Sequence, residues 1–383
     1  MNLNYHKMKF LRLAFYVLIA QLVLSGCAGE AVEETSSSSS SEINFDAYVN
    51  RNTSSRSGVT DNTFLQGTTY NAGFGVFARY KHTKEDNSPL MLMNNEHVYW
   101  KNWKGDRSDW GYENTRYWPN EGFVDFYAFA PRSAEPQLVN KPGGKEPNPT
   151  YIFFPSNMSP VDLVWANAKD RTKPKTNEPV KFTFKHALAR LSFDITANNL
   201  NDGEFITVQE VKLYCESNNP NKEHIGVFVM AGYLNLENGD WILADNGTRW
   251  YYSWTPTNPD GEASDVGKGP ELQISGAQLD QEHKIITNSP RSYIFIIPQE
   301  KREPVYLEIT YTVKQGDFEE TVTVKKNLLE VLDPSETSNP SFEFKEGKAY
   351  VFHLILSLDP INFDVQATVG NWIGNEVKDE ITI

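Results

Sequence analysis

The sequence predicts an all-β protein: antiparallel β-sandwiches in two tandem domains, placed behind an export segment and a flexible tether. Three observations carry this. Apolar residues alternate with polar ones in run after run, the period of two that half-buried strands require. Turn markers separate the runs, among them Asn201-Asp202-Gly203, Asn238-Gly239-Asp240, Asn246-Gly247 and Pro142-Gly143-Gly144. No long segment carries a helical stripe; HALARLS (His186 to Ser192) offers one or two turns at most. A chain of 383 residues exceeds one ordinary core and suggests two domains.

Residues 1–26 have the composition of an export signal. Lys7, Lys9 and Arg12 supply a positive start, and LAFYVLIAQLVL (Leu13 to Leu24) is an apolar run too short to span a bilayer comfortably. The following Leu24-Ser25-Gly26-Cys27 resembles the bacterial lipobox, in which the cysteine receives lipid and becomes the new N-terminus. The chain is therefore expected to be anchored to a membrane through Cys27, since several acyl chains hold a protein durably where one does not. Residues 27–42 are read as the tether, because the serine-rich AGEAVEETSSSSSSE cannot bury enough apolar surface to fold. Glu30, Glu33 and Glu34 resemble the acidic tags of Bacteroidetes lipoproteins destined for the outer surface. Cys215 is the other cysteine; VKLYCES puts it on a strand face with Val211 and Leu213, as a small buried hydrophobe.

The first strand is INFDAYVN, with Ile43, Phe45, Ala47 and Val49 facing inward. The pattern returns in FVDFYAFA (Phe123 to Ala130), VKFTFKHALARLSFDI (Val180 to Ile195), VYLEITYTV (Val305 to Val313) and INFDVQATV (Ile361 to Val369). The polar, proline-bearing stretch AKDRTKPKTNEP (Ala168 to Pro179) is read as the boundary, giving domains over 43–179 and 180–383.

Several chemistries lack their residues. The formal charge is 36 − 50 = −14, which argues against a phosphate-tracking surface and hence against nucleic acid. Seven histidines are present, none three or four residues from another, so no zinc-peptidase pattern exists and no metal or other cofactor is expected. Gly73-Phe74-Gly75-Val76-Phe77-Ala78 fits a dinucleotide fingerprint in letters alone, because the surrounding pattern is β and no helix follows. No G-x-S-x-G occurs, so the chain is read as not an enzyme. Trp100, Trp103, Trp110 and Trp118 form an aromatic cluster with Tyr99, Tyr112 and Tyr117. Such rings can stack on sugars, or a long hairpin can use them to pack on the first sandwich, the reading preferred for this cluster.

GVFA (Gly75 to Ala78), LMLMNNEHVYW (Leu90 to Trp100), RYWPNEGFVDFYAFAP (Arg116 to Pro131), VDLVWA (Val161 to Ala166) and VKFTFKHALARLSFDI together resemble the fimbrillin family of Bacteroidales. The end, GKAYVFHLILSLDPINFDVQATVGNW (Gly347 to Trp372), resembles that family's closing strands. The resemblance implies two transthyretin-like sandwiches in a pilus subunit or accessory pilin. It also implies an assembly route: Cys27 is lipidated, and the strand Ile43 to Asn50 is removed by a trypsin-like cut after Arg51 or Arg56. A C-terminal strand of another subunit then fills the groove. Val377, Ile381 and Ile383 are the candidate donor residues; INFDVQATV reads better as a resident of the second domain's own sheet. Burying four such strand residues contributes on the order of 5–8 kcal/mol before entropy, and the vacated edge leaves ladder groups unpaired. The partners implied are other pilin subunits and the outer membrane. A glycan-binding surface lipoprotein using Trp100, Trp103 and Trp110 is the alternative function.

Overall fold

The structure, a computed structural model, describes residues 41–49 and 59–382 apart from internal stretches, the longer ones being 155–160, 216–227, 255–271, 276–284, 287–293 and 333–340. The export segment, Cys27 and the tether before Ser41 lie outside the described residues, as do Arg51 and Arg56.

The first strands are β1 (Phe45–Val49), β2 (Phe74–Lys81), β3 (Leu90–Trp103), β4 (Arg107–Gly111), β5 (Phe123–Ala130), β6 (Tyr151–Phe154), β7 (Val164–Arg171) and β8 (Val180–His186). Next come β9 (Ala189–Ala197), β10 (Glu204–Cys215), β11 (Phe228–Val229), β12 (Gly232–Asn235), β13 (Trp241–Leu243), β14 (Thr248–Arg249), β15 (Tyr251–Trp254), β16 (Leu272–Ser275) and β17 (Ile285–Ile286). The last are β18 (Ile294–Ile296), β19 (Gln299–Lys301), β20 (Val305–Gln315), β21 (Phe318–Asn327), β22 (Phe342–Phe344), β23 (Lys348–Leu356), β24 (Asp364–Ile373) and β25 (Glu376–Thr382). Two short helices, Asn62–Leu65 and Leu328–Leu332, complete the described elements.

The first core is enclosed by a seven-stranded sheet in the order β1-β8-β7-β5-β2-β3-β4. Its central strands are apolar on both faces. Phe74, Val76, Ala78, Phe126 and Ala128 line the first core, whereas Phe77, Tyr127 and Phe129 line a second cluster behind the sheet. Burial on both sides is why FVDFYAFA reads as an almost unbroken apolar run rather than a clean alternation. Buried Lys81 at the end of β2 is compensated by Asp125 and Asp170, each 2.8 Å from its Nζ.

The second core lies between a five-stranded sheet built on β10, β20 and β21 and a six-stranded sheet built on β9, β23, β24 and β25. Val208, Leu213, Leu307, Ile309 and Tyr311 from the first meet Leu191, Phe193, Phe352 and Leu354 from the second. Between the two cores runs a three-stranded sheet, β13-β12-β6, in which β6 from the first half pairs with β12 from the second.

Three features differ from expectation. The strand Val180–His186, expected to open the second domain, pairs with β1 and β7 in the sheet of the first core. The polar stretch before it is a connection between two neighbouring strands, and the passage to the second core comes at Ala187 and Leu188 instead. Not every pair is antiparallel: β1 runs parallel to β8, and β23 parallel to β9. HALARLS, allowed one or two helical turns at most, has none: Ala187 and Leu188 link β8 to β9, and Ala189 to Ser192 lie in β9.

The glycines of the nominal dinucleotide fingerprint have packing roles. Gly73 adopts φ +78°, and a Cβ there would lie 2.2 Å from the Val98 carbonyl oxygen. Gly75 lies under the Phe129 ring, where a Cβ would come within 2.6 Å. Gly73→Ala is expected to destabilise the fold by about 2–4 kcal/mol, read as the shift in a urea unfolding midpoint. A loss below a few tenths would show that the turn at Val98 adjusts freely.

Candidate functional site

The described residues hold no group of three or more His, Cys, Asp or Glu side chains disposed to bind a metal. What the fold presents instead is an edge strand that completes a core. Among the described residues β1 has one ladder partner, β8, in register from Phe45 opposite Val180 to Val49 opposite Phe184. Its alternation is complete: Ile43, Phe45, Ala47 and Val49 are buried, with Asp46 and Tyr48 exposed between them.

Phe45 is the centre of this packing. Its ring stacks on Phe182 at 5.8 Å and meets Phe74, Phe126 and Tyr112 at 6.3, 5.9 and 5.6 Å. Ahead of the strand, Ser41 to Ile43 pair with a crossing segment. The Ile43 amide donates to Arg116 O at 2.9 Å, and the Trp118 amide donates to Ser41 O at 3.0 Å. The Tyr112 hydroxyl donates to Ile43 O at 2.8 Å and accepts from the Arg116 amide at 3.1 Å. Burial pushes the Tyr112 phenol above its ordinary range, against the opposing effect of the Arg116 amide, so it remains a donor through the neutral range. At the far end, the Val49 amide donates to Asn62 Oδ1 at 2.7 Å.

After the undescribed stretch 50–58, the chain re-enters at a second anchor. The Thr60 amide donates to Asp162 Oδ2 at 2.7 Å, and its hydroxyl donates to Asp162 O. The other carboxylate oxygen of Asp162 meets His186 Nδ1 at 2.9 Å, with both side chains almost wholly buried. The His186 ring lies flat on Trp372, centroids 3.7 Å apart. Asp61 then caps the short helix, accepting from the Phe64 amide. No spacing in the sequence marks the Asp162–His186 pair.

The aromatic cluster divides. Tyr112 and Trp118 belong to the first core. Trp110 is half-buried, its ring 5.0 Å from Phe74, and half-buried Trp100 packs edge-on against Trp110 at 5.1 Å. Trp100, Trp110, Tyr112 and Trp118 thus pack on one another and on the sandwich, while Tyr117 is exposed. The side chain of Trp103 lies outside the described residues. At the C-terminus, β24 from Asp364 onward lies inside its sheet between β23 and β25. The β25 backbone, with Val377 and Ile381, forms that sheet's edge, and Ile383 lies outside the described residues.

The fold and this site define an all-β protein whose first core is completed by an aromatic-anchored edge strand. Comparison with known proteins supplies the family. The model of the fimbrillin-like family matches residues 56–372. The chain is 22% identical to fimbrium subunit Fim1C of Phocaeicola vulgatus over 401 aligned positions, covering 95% of this chain and 97% of that protein. The crystal structure of a fimbrial protein from Bacteroides vulgatus shares the fold at TM-score 0.57 and 20% identity, covering 86% of this chain and 99% of that one. The chain belongs to the fimbrillin-like family. It is accordingly a structural fimbrial protein and not an enzyme.

Proposed function

We propose that this chain is a fimbrial subunit or accessory pilin, exported as a lipoprotein on Cys27 and built of two tandem transthyretin-like sandwiches. It loses its first strand by cleavage after Arg51 or Arg56 and joins other pilin subunits by donor-strand exchange. In this reading it resides on the outer membrane and in the fimbrium, where it contributes to adhesion. One observation carries the reading: Ile43, Phe45, Ala47 and Val49 fill the first core from an edge strand that, among the described residues, is held by a single ladder partner. Removing such a strand opens an apolar slot beside unpaired groups of β8, a slot that fits another extended segment. The separate anchor at Thr60 supports the same reading, because it holds the chain behind the cut independently of β1. Val377, Ile381 and Ile383 remain the candidate donors, and β25 also lies at a sheet edge.

Mild trypsin treatment of the precursor tests this. The expected product starts at Asn52 or Ser57 and assembles into oligomers that resist SDS, whereas Arg51→Gln combined with Arg56→Gln leaves the chain whole and monomeric in SDS. A nicked chain that loses β1 yet never oligomerises would rule out strand exchange.

A further inference from the structure

β21 presents a second edge, remote in sequence from the first. It forms a hairpin with β20 through Gly316-Asp317, and its ten residues pair from Phe318 opposite Gln315 to Asn327 opposite Tyr306 without a register shift. Among the described residues it has no second ladder neighbour. A two-residue turn closes on a hydrogen-bonded pair, Gln315 with Phe318, and such pairs alternate along an antiparallel ladder. Glu319, Thr321, Thr323 and Lys325 therefore direct their amide and carbonyl groups away from β20.

Edge strands are commonly guarded by proline, by a bulge, or by charged side chains, lysine above all, which repel an identical strand when they meet like charges. β21, reading FEETVTVKKN, has no proline and no bulge. Its charges are of both signs and lie at opposite ends: Glu319 and Glu320 at one, Lys325 and Lys326 at the other. Threonine contacts tie the strand to β20, Thr310 Oγ1 to Thr323 Oγ1 at 3.0 Å and Thr312 Oγ1 to Thr321 Oγ1 at 2.9 Å. Val322 and Val324 face the second core and are only partly covered.

We infer that β21 is a self-association edge that accepts the same strand of a second copy of this chain, antiparallel and two-fold symmetric. A two-fold axis perpendicular to the sheet requires a residue to oppose itself. With the axis at Val322, Glu319 lies opposite the partner's Lys325 and Thr321 opposite the partner's Thr323, both in the set whose backbone groups point outward. The exposed Phe318 then lies beside the aliphatic stem of the partner's Lys326. With the axis at Thr323, Glu320 lies opposite the partner's Lys326 instead. Lys325 lies 4.3 Å over the Tyr306 ring and Lys326 3.7 Å from Asp364, so each lysine has a contact within its own sheet. The first frame is favoured because it alone sets opposite charges across from each other at residues whose backbone groups point outward. Parallel pairing in register sets glutamate on glutamate and lysine on lysine, so the charge pattern selects the antiparallel copy.

Sedimentation of the full, uncut chain tests the inference, since without cleavage strand exchange does not contribute. The native chain is expected to dimerise with rising concentration, more weakly in high salt. Glu319→Lys with Glu320→Lys, and separately Lys325→Glu with Lys326→Glu, should each weaken self-association by roughly tenfold or more. An equimolar mixture of the two variants should dimerise again, because lysines of one then meet glutamates of the other at both ends. Recovery in the mixture also shows that neither variant has lost its fold. A native chain that stays monomeric overturns the inference. So does a charge variant that dimerises like the native chain, or a mixture that stays monomeric.

Discussion

Phe45→Ala is expected to destabilise the protein by about 3–5 kcal/mol, the usual cost of deleting a fully packed aromatic side chain. The ring touches Phe74, Tyr112, Phe126 and Phe182, which come from four separate parts of the first sheet and its crossing segment. None can close the void alone, because each is held by its own neighbours; Phe74, for instance, also meets Trp110 and Phe184. Equilibrium urea unfolding measures the loss. Tyr48→Ala, on the outer face of the same strand, gives the comparison: it removes the hydrogen bond with Thr183 Oγ1 at 2.7 Å but little packing, and should cost under about 1 kcal/mol. Equal losses from the two would mean that β1 contributes through its backbone alone.

Asp162→Ala is the second change with a large expected effect. It strands two donors in the interior, the Thr60 amide and the side chain of His186, at about 1–3 kcal/mol each. The sum is a substantial fraction of a domain's whole stability. Asp162→Asn keeps one carbonyl oxygen and is expected to lose clearly less. Hydrogen exchange locates the damage: the Thr60 amide should lose protection in Asp162→Ala while the amides of β20 keep theirs. Unchanged protection at Thr60 would show that Asp162 does not hold the returning chain.

How much of this was legible in the letters follows from what periodicity records. It assigns residues to faces, and Ile43, Phe45, Ala47 and Val49 are buried as their alternation requires. It does not name neighbours, so the parallel pairing of β1 with β8 had no signal. The misplaced boundary has a similar cause. A polar, proline-bearing stretch is equally suited to joining two domains or two adjacent strands, and AKDRTKPKTNEP does the second. Tyr112 and Trp118 carried no mark separating core from surface, because a ring apt for sugars is also apt for packing. Asp162 and His186 lie 24 positions apart in strand contexts that look ordinary, and only the tertiary fold brings them to 2.9 Å.

The seam between the two cores has a mechanical consequence. Phe153 and Ile152 of β6 sit in hydrogen-bonded register with Tyr233 and Leu234 of β12, and Trp372 of the last sheet stacks on His186 of the first. Bending one half against the other must shear backbone ladders and separate stacked rings, not merely flex a connecting peptide. The two halves are therefore tied by a backbone ladder and a ring stack as well as by the connecting peptide, and a load on one half reaches the other through that seam.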